Sequence, residues 1–221
     1  MNKSTSLPVP KAEPDKGCLL CPRLAAFRTN NAKAHPDWFN GPVPSFGAPD
    51  ARLLLVGLAP GLQGANRTGR PFTGDYAGDL LYSTLLHFDF AKGNYAARID
   101  DGLALQDCMI SNAVRCVPPE NKPTPLEART CRSFLSARIS ALANLKYIIA
   151  LGKIAHDSVI SAHALKLGQF KFAHGAQHDL GNGLRLFDSY HCSRYNTSTK
   201  RLTEKMFHDV FGAVRKALDK K

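Results

Sequence analysis

The sequence predicts an α/β fold of three layers, α/β/α, around a central, mostly parallel sheet of four strands. Three observations predict it. Four short apolar runs occur in the 221 residues, each suited in length to a buried strand. Segments with helical spacing of apolar residues lie between them, and this alternation is the pattern of a parallel sheet covered by helices. No internal repeat or low-complexity run interrupts it.

Taken in order, residues 1–17 are rich in Pro, Ser and Lys and read as a flexible N-terminal tail. They carry no apolar core of the kind a signal peptide needs. Residues 18–221 read as a single domain. Between 22 and 50, Pro22, Pro36, Gly41, Pro42, Pro44, Gly47 and Pro49 predict loops, with at most a short helix over 24–29. The first strand is expected over 52–58 (R-L-L-L-V-G-L), and a Gly- and Thr-rich loop follows over 59–75. Leu81, Leu85 and Phe88 predict a helix over 76–90. The second strand is expected over 107–114. Pro118, Pro119, Pro123 and Pro125 then stiffen a loop that leads into a helix over 125–145, with Thr124 as cap and Pro125 in the first turn. A third strand over 146–151, a helix over 153–165, a fourth strand over 184–189, a polar loop over 191–199 and an amphipathic helix over 199–219 complete the chain. Loops 59–75, 115–124 and 190–199 all fall at the C-terminal ends of expected strands, where such sheets bind ligands.

Composition narrows the class of function. With 44% hydrophobic and 21% charged residues the chain is globular, neither coiled coil nor collagen. No apolar run approaches the roughly 18 residues of a membrane span, so no membrane role is expected. Lys and Arg number 29 against 18 Asp and Glu, a formal charge of +11, which favours a polyanionic partner such as nucleic acid. A monomer is the default expectation for this size and charge. Without a secretory signal the six cysteines are not expected to form disulfides. Cys18 and Cys21 form a C-x2-C pair, and Cys116 and Cys131 lie far downstream. Four such thiolates can hold an iron–sulfur cluster or zinc. Cys108, in a strand, reads as a core thiol.

Two loops carry the chemistry. The segment from Gly57 to Asp75 is neither a Walker loop nor a dinucleotide fingerprint. It offers a glycine-rich turn with exposed N–H groups, Arg67, Arg70, Phe72 and Asp75, a set able to hold a flat polar ring stacked on Phe72. In the segment His191-Cys192-Ser193-Arg194-Tyr195-Asn196-Thr197, His191 follows a strand directly and can donate a hydrogen bond to developing negative charge. Ser193, Asn196 and Thr197 suit phosphate contacts, while Arg194 and Tyr195 suit entry into a groove.

Gly57-Leu58-Ala59-Pro60-Gly61, the run from Asn66 to Asp75, the segment from Asn112 to Pro119 and that from His191 to Thr203 resemble the family 5, or type B, uracil-DNA glycosylases. The resemblance covers the chain from Cys18 to about Thr203. It implies a glycosylase that hydrolyses the N-glycosidic bond of uracil and other deaminated bases (hypoxanthine, xanthine) flipped out of DNA. It implies catalysis by Asp75 and His191, the base being held by Leu58, Ala59, Phe72 and Asn112. Arg67, Ser193, Arg194, Tyr195 and Asn196 are expected to touch DNA. Cys18, Cys21, Cys116 and Cys131 look like the ligands of the family's 4Fe-4S cluster, in a structural role. With no lysine obviously placed for Schiff-base chemistry, the expected enzyme is monofunctional, and its expected location is the cytoplasm, at the nucleoid of a prokaryote.

This sequence departs from the family pattern at two positions: Cys192 stands where the loop usually has Pro, and Lys200 where it commonly has Gly. Leu58 occupies the place where many superfamily members carry Asp, Asn or Glu, which leaves Asp75 as the nearest carboxylate for activating water. The competing class is a non-catalytic iron–sulfur or zinc nucleic-acid-binding protein on the same fold. Such a binder has no need of Asp75, Asn112 and His191 together.

Overall fold

The computed structural model describes residues 11–220. The expectation of a tail over 1–17 therefore lies outside the described residues as far as residue 10. From Lys11 onward the chain lies on the body, where Glu13 pairs with Arg115 at 3.0 Å and with Arg138 at 2.6 Å.

The strands are β1 (Phe46–Gly47), β2 (Leu53–Gly57), β3 (Ala91–Lys92), β4 (Ala104–Leu105), β5 (Cys108–Asn112), β6 (Tyr147–Leu151), β7 (Gln177–Asp179) and β8 (Arg185–Ser189). One sheet runs β1-β5-β2-β6-β8-β7. Its four central strands, β5-β2-β6-β8, are parallel and are the four that the apolar runs predict. The sheet has six strands rather than four because β1 and β7 add antiparallel edges. These edges are two and three residues long and pair through backbone alone, so no apolar run announces them. β3 and β4 form a separate ribbon.

The helices are α1 (Pro22–Ala34), α2 (Ala65–Thr68), α3 (Tyr76–His87), α4 (Pro125–Ala141), α5 (Lys153–Ala162), α6 (Arg194–Ser198) and α7 (Glu204–Asp219). α1 extends well beyond the short helix expected near 24–29; it buries only Leu24, Ala25 and Arg28 and so shows little periodicity. α4 begins in a capping box between Thr124 and Glu127, as its sequence predicts, and Arg23 clamps Glu127 at 2.7 Å. α7 starts at Thr203, whose hydroxyl accepts from Met206 N, and the residues before it form the short α6 inside the expected polar loop.

Alternation along the strands builds two cores. Leu53, Leu55, Ile149 and Phe187 face α3 and α7, meeting Leu81, Leu85, Phe207 and Phe211. Leu54, Val56, Ile148 and Leu186 face α4 and α5, meeting Leu135, Ala155 and Val159. This is the three-layer arrangement the sequence predicts. From β2 the chain passes to β5 on one side and then crosses back to β6 on the other, so the carboxyl ends of these strands open a crevice. No helix among the described residues is long and apolar enough to cross a membrane.

A buried charge network fixes β8 beneath that crevice. Asp188 is fully buried; one oxygen meets His156 Nδ1 at 2.8 Å and the other meets His178 Nε2 at 3.0 Å. His156 Nε2 meets the Phe170 carbonyl at 3.0 Å. Both nitrogens of the His156 ring thus face acceptors, and only the protonated ring can donate in both directions. Burial pulls its pKa down, but the bond and charge of Asp188 outweigh burial and hold it above the ordinary value. A raised histidine pKa contributes stability that is fully present below the unfolded pKa and is lost as pH rises through the folded one. The Tm of wild-type protein is therefore expected to decline as pH climbs above neutrality. Asp188→Asn should remove that slope and cost about 3 kcal/mol or more near pH 6, measured by denaturant melts across pH.

Candidate active site at the carboxyl edge of the sheet

A cavity of about 510 Å³ opens where β2, β5 and β8 end. Its wall includes Leu58, Ala59, Gly61, Gly64, Phe72, Asp75, Asn112, His191, Ser193 and Arg194. Residues distant in sequence meet here because β5 and β2 are neighbours and β8 lies parallel to them one strand further on, across β6. A larger depression of about 700 Å³ lies at the opposite edge, lined by the Arg52–Asp107 ion pair and by Asp50 and Lys146.

Phe72 forms the aromatic wall. It is buried and held at φ +54°, a left-handed conformation that costs an aromatic residue of order 1–3 kcal/mol. The surroundings enforce it. Tyr95 Oη donates to the Phe72 carbonyl at 3.2 Å, and next to it Arg70 is buried against Asp101 at 2.7 Å. The Phe72 and His191 ring centroids lie 5.8 Å apart, inclined by 27°.

Asn112 is the last residue of β5, and its Oδ1 is buried without a hydrogen-bond partner. A Cβ at Gly57 would overlap this oxygen and come within 2.6 Å of the Phe72 ring. Glycine at 57 is what lets amide and ring share the cavity floor. The Gly57 and Leu58 carbonyls accept from Ala113 N and Val114 N, which ties the first loop to the end of β5.

Asp75 serves in two ways at once. Its Oδ1 accepts from Gly78 N at 3.3 Å and caps α3. Its Oδ2 sits against Gly61 and Gly64, where a Cβ at 61 would come within 2.8 Å and one at 64 would overlap it. Burial raises the carboxyl above its ordinary pKa, only partly countered by the Gly78 and Ala77 N–H groups.

His191 follows β8 and faces the same cavity. Burial alone lowers its pKa to about 4, so the ring is neutral at physiological pH. Asn196 Nδ2 donates to the His191 carbonyl at 2.8 Å. Asn196, expected at DNA, thus has its amide engaged in holding the histidine. Ser193 caps α6 and lines the cavity, and Arg194 lies 5.9 Å over the ring of Tyr76 at the rim. Tyr195 is 70% exposed. Arg67 is exposed but lines a separate groove with Trp38 and Arg98. Gln63, Tyr76 and Asn121 also line the main cavity. Sequence reasoning missed them, and no spacing or motif singles them out.

Cys18, Cys21, Cys116 and Cys131 line one small cavity between α1, α4 and the segment after β5. Burial, reinforced by neighbouring sulfurs, pushes Cys116 up to about 12 and Cys131 up to about 11 against the pull of Arg28 and Arg115. Arg115 N donates to Cys131 Sγ at 3.3 Å. No three of these sulfurs lie within 4.8 Å of one another; among the described residues that spacing is met by His156, His178 and Asp188. Sulfurs around one tetrahedral zinc ion would stand about 3.8 Å apart. Four thiols on one cavity are a donor set open to an iron–sulfur cluster or to zinc. Cys108 is fully buried in β5, as a core thiol should be.

Fold and cavity together define a class of α/β proteins with a ligand site at the carboxyl edge of a parallel sheet. The sequence model described as "Uracil DNA glycosylase superfamily" matches residues 44–215. The chain is 44% identical over 199 residues to the Type-5 uracil-DNA glycosylase of Thermus thermophilus, covering 87% of this chain and 90% of that relative. It is 39% identical over 207 residues to the Type-5 uracil-DNA glycosylase of Mycobacterium tuberculosis, covering 90% and 77%. It is 31% identical over 179 residues to the Type-4 uracil-DNA glycosylase of Thermotoga maritima, covering 80% and 77%. The chain belongs to the uracil-DNA glycosylase superfamily, in its type-5 branch.

The start of α3 gives a test of how tightly this site is packed. Alanine normally stabilises a helix over glycine by about 1 kcal/mol. A Cβ at Gly78, however, would run into the Phe72 carbonyl and come within 2.5 Å of Tyr95 Oη. Backbone cannot yield as a side chain does, so Gly78→Ala is expected to destabilise, by about 1–3 kcal/mol in urea melts.

Proposed function

We propose that this protein is a monofunctional DNA glycosylase that extrudes uracil and other deaminated bases from DNA and hydrolyses their N-glycosidic bond. The buried, unpartnered Oδ1 of Asn112 carries the reading. Deamination turns the Watson–Crick edge of cytosine or adenine into a lactam, a carbonyl beside an N–H. The Asn112 amide matches that pair, its oxygen accepting from the N–H and its NH2 donating to the carbonyl. Cytosine and adenine present a ring-nitrogen lone pair there and leave Oδ1 unsatisfied. The lactam edge is shared by uracil, hypoxanthine and xanthine, and the cavity has room for a purine; guanine carries it too, so this contact separates uracil and hypoxanthine from their parents but not xanthine from guanine.

The base stacks on Phe72 while the neutral His191 ring donates to the base oxygen. As the C1′–N bond breaks, its electron pair passes to the base, and this hydrogen bond strengthens with the growing negative charge. Asp75 Oδ2 stabilises the oxocarbenium-like sugar and orients water toward C1′. The water oxygen bonds to C1′ and its proton passes to the carboxylate, leaving an abasic site and the base anion; the anion takes a proton from water as it leaves, and Asp75 returns its proton to solvent. A raised pKa suits a general base. Among the described residues no lysine lines the cavity, and none there offers an amine for imine formation. The basic surface offsets the cost of base flipping through phosphate contacts, and Arg194 and Tyr195 at the rim suit entry between base pairs. The protein works as a monomer on cytoplasmic DNA.

The four cysteines hold a 4Fe-4S cluster. When bound, it supplies a cross-link joining Cys18 and Cys21 to the segments bearing Cys116 and Cys131, and it takes no part in the reaction. Purified protein is expected to be brown, with visible absorption and about four iron atoms per chain. A colourless, zinc-loaded protein would count against the cluster.

The decisive experiment is single-turnover cleavage of oligonucleotides bearing uracil, hypoxanthine or xanthine, read after alkaline strand scission. Wild type should release uracil and hypoxanthine, with no borohydride-trapped adduct. His191→Ala should lose about 100–1000-fold, and Asp75→Asn about 100–10,000-fold. The wild-type rate should fall as pH drops through the raised pKa of Asp75, while His191 stays neutral until about pH 4. Asp75→Asn should remove that acid limb. DNA binding without release of any of these bases would favour the non-catalytic binder.

A further inference from the structure

Cys192 follows His191 directly and is fully buried. Its Sγ lies 3.4 Å from the Ala77 carbonyl, in the first turn of α3. This turn is where the catalytic groups meet. The Ala77 and Gly78 N–H groups hold the Asp75 carboxylate, and Gly78 is pressed against the carbonyl of Phe72. The His191 loop is braced from its own side by Asn196 on the His191 carbonyl, and by Gly152 N on the Ser189 carbonyl at 2.8 Å. Across the cavity, among the described residues, the thiol is the side-chain hydrogen bond from this loop to α3. The Arg194–Tyr76 contact at the rim is the other link.

We propose that Cys192 is a positioning residue that fastens His191 and Asp75 to one rigid turn, so that the donor to the leaving base and the carboxylate near the sugar keep a fixed spacing. The inference rests on the glycosylase reading above. A thiol is a weak donor, but a buried one with a single acceptor keeps its geometry. Burial, together with the nearby Asp75, raises the Cys192 pKa, so the sulfur keeps its proton and remains a donor throughout the working range. A proline at this position would stiffen the backbone after His191 but could not make the link.

Ala and Ser leave nearly equal voids at 192 and differ in the donor, so comparing them isolates the hydrogen bond from packing. Wild-type cleavage of uracil-containing DNA is measured first and tests the glycosylase reading separately. Cys192→Ala should then slow the single-turnover rate about 10-fold with DNA affinity unchanged, and should shift the acid limb assigned to Asp75. Cys192→Ser should recover most of the rate and the wild-type limb. A Cys192→Ala enzyme with wild-type rate and limb overturns the proposal. So does a Ser variant as slow as Ala at the same Tm. If neither variant folds, infrared spectroscopy of the Cys108→Ala holoprotein gives the answer, since Cys192 is then the one thiol outside the four proposed cluster ligands. An S–H band shifted to low frequency supports the link; a free-thiol band overturns it.

Discussion

The site depends on the room left by side chains that are missing. A methyl group at 57 would occupy the space of the Asn112 amide and the Phe72 ring, and one at 61 or 64 would press on the Asp75 carboxylate. These glycines do their work as empty volume as much as by turn geometry; none of the three has a positive φ. Protein interiors are packed closely enough that a single carbon decides which groups can meet. The carboxyl edge of the sheet supplies the crevice, and the glycines let polar groups approach without backbone between them.

Electrostatics follow from the same burial. Desolvation acts in opposite directions on an acid and a base, raising Asp75 and lowering His191. The imidazole is thereby kept neutral, and in the proposed mechanism its N–H meets charge that appears only as the bond breaks. A charged ring in the same place would bind anions in the ground state as well, which adds less to the rate. Asp75 is oriented by backbone N–H groups of α3, so one oxygen is anchored and the other is left for the cavity. In the proposed mechanism cap and catalytic base, which the sequence sets against each other, are two ends of one carboxylate.

Much of this was legible in the sequence, for identifiable reasons. The four central strands are buried on both faces and therefore read as continuous apolar runs; Leu53 to Gly57 is the clearest. Thr124 and Pro125 announce α4 because capping is local chemistry. The cavity residues were legible through long motifs, and the parallel strands explain why segments around 58, 72, 112 and 191 converge. What was not legible depends on contacts between distant residues. β1 and β7 exist through backbone pairing. Asn196 reads as a phosphate ligand but spends its amide on the His191 carbonyl, a partner that only the turn of α6 brings near. The His156–Asp188–His178 network joins three elements, and no spacing in the chain predicts it.

The unpartnered oxygen of Asn112 gives the proposed selectivity a thermodynamic basis. A buried acceptor without a hydrogen bond costs about 1–3 kcal/mol. In the proposed complex, an incoming lactam N–H gives that oxygen its hydrogen bond. A base with a lone pair at the same position leaves the cost in place and adds repulsion between two acceptors. Sites built around a required hydrogen bond can reject the analogue lacking it by 10,000-fold or more, on the order of the largest discriminations binding alone achieves. A floor made only of Phe72 and Leu58 would stack any base. On the proposed reading, one amide, held in place because residue 57 has no side chain, turns that surface into one that tells uracil from cytosine and hypoxanthine from adenine.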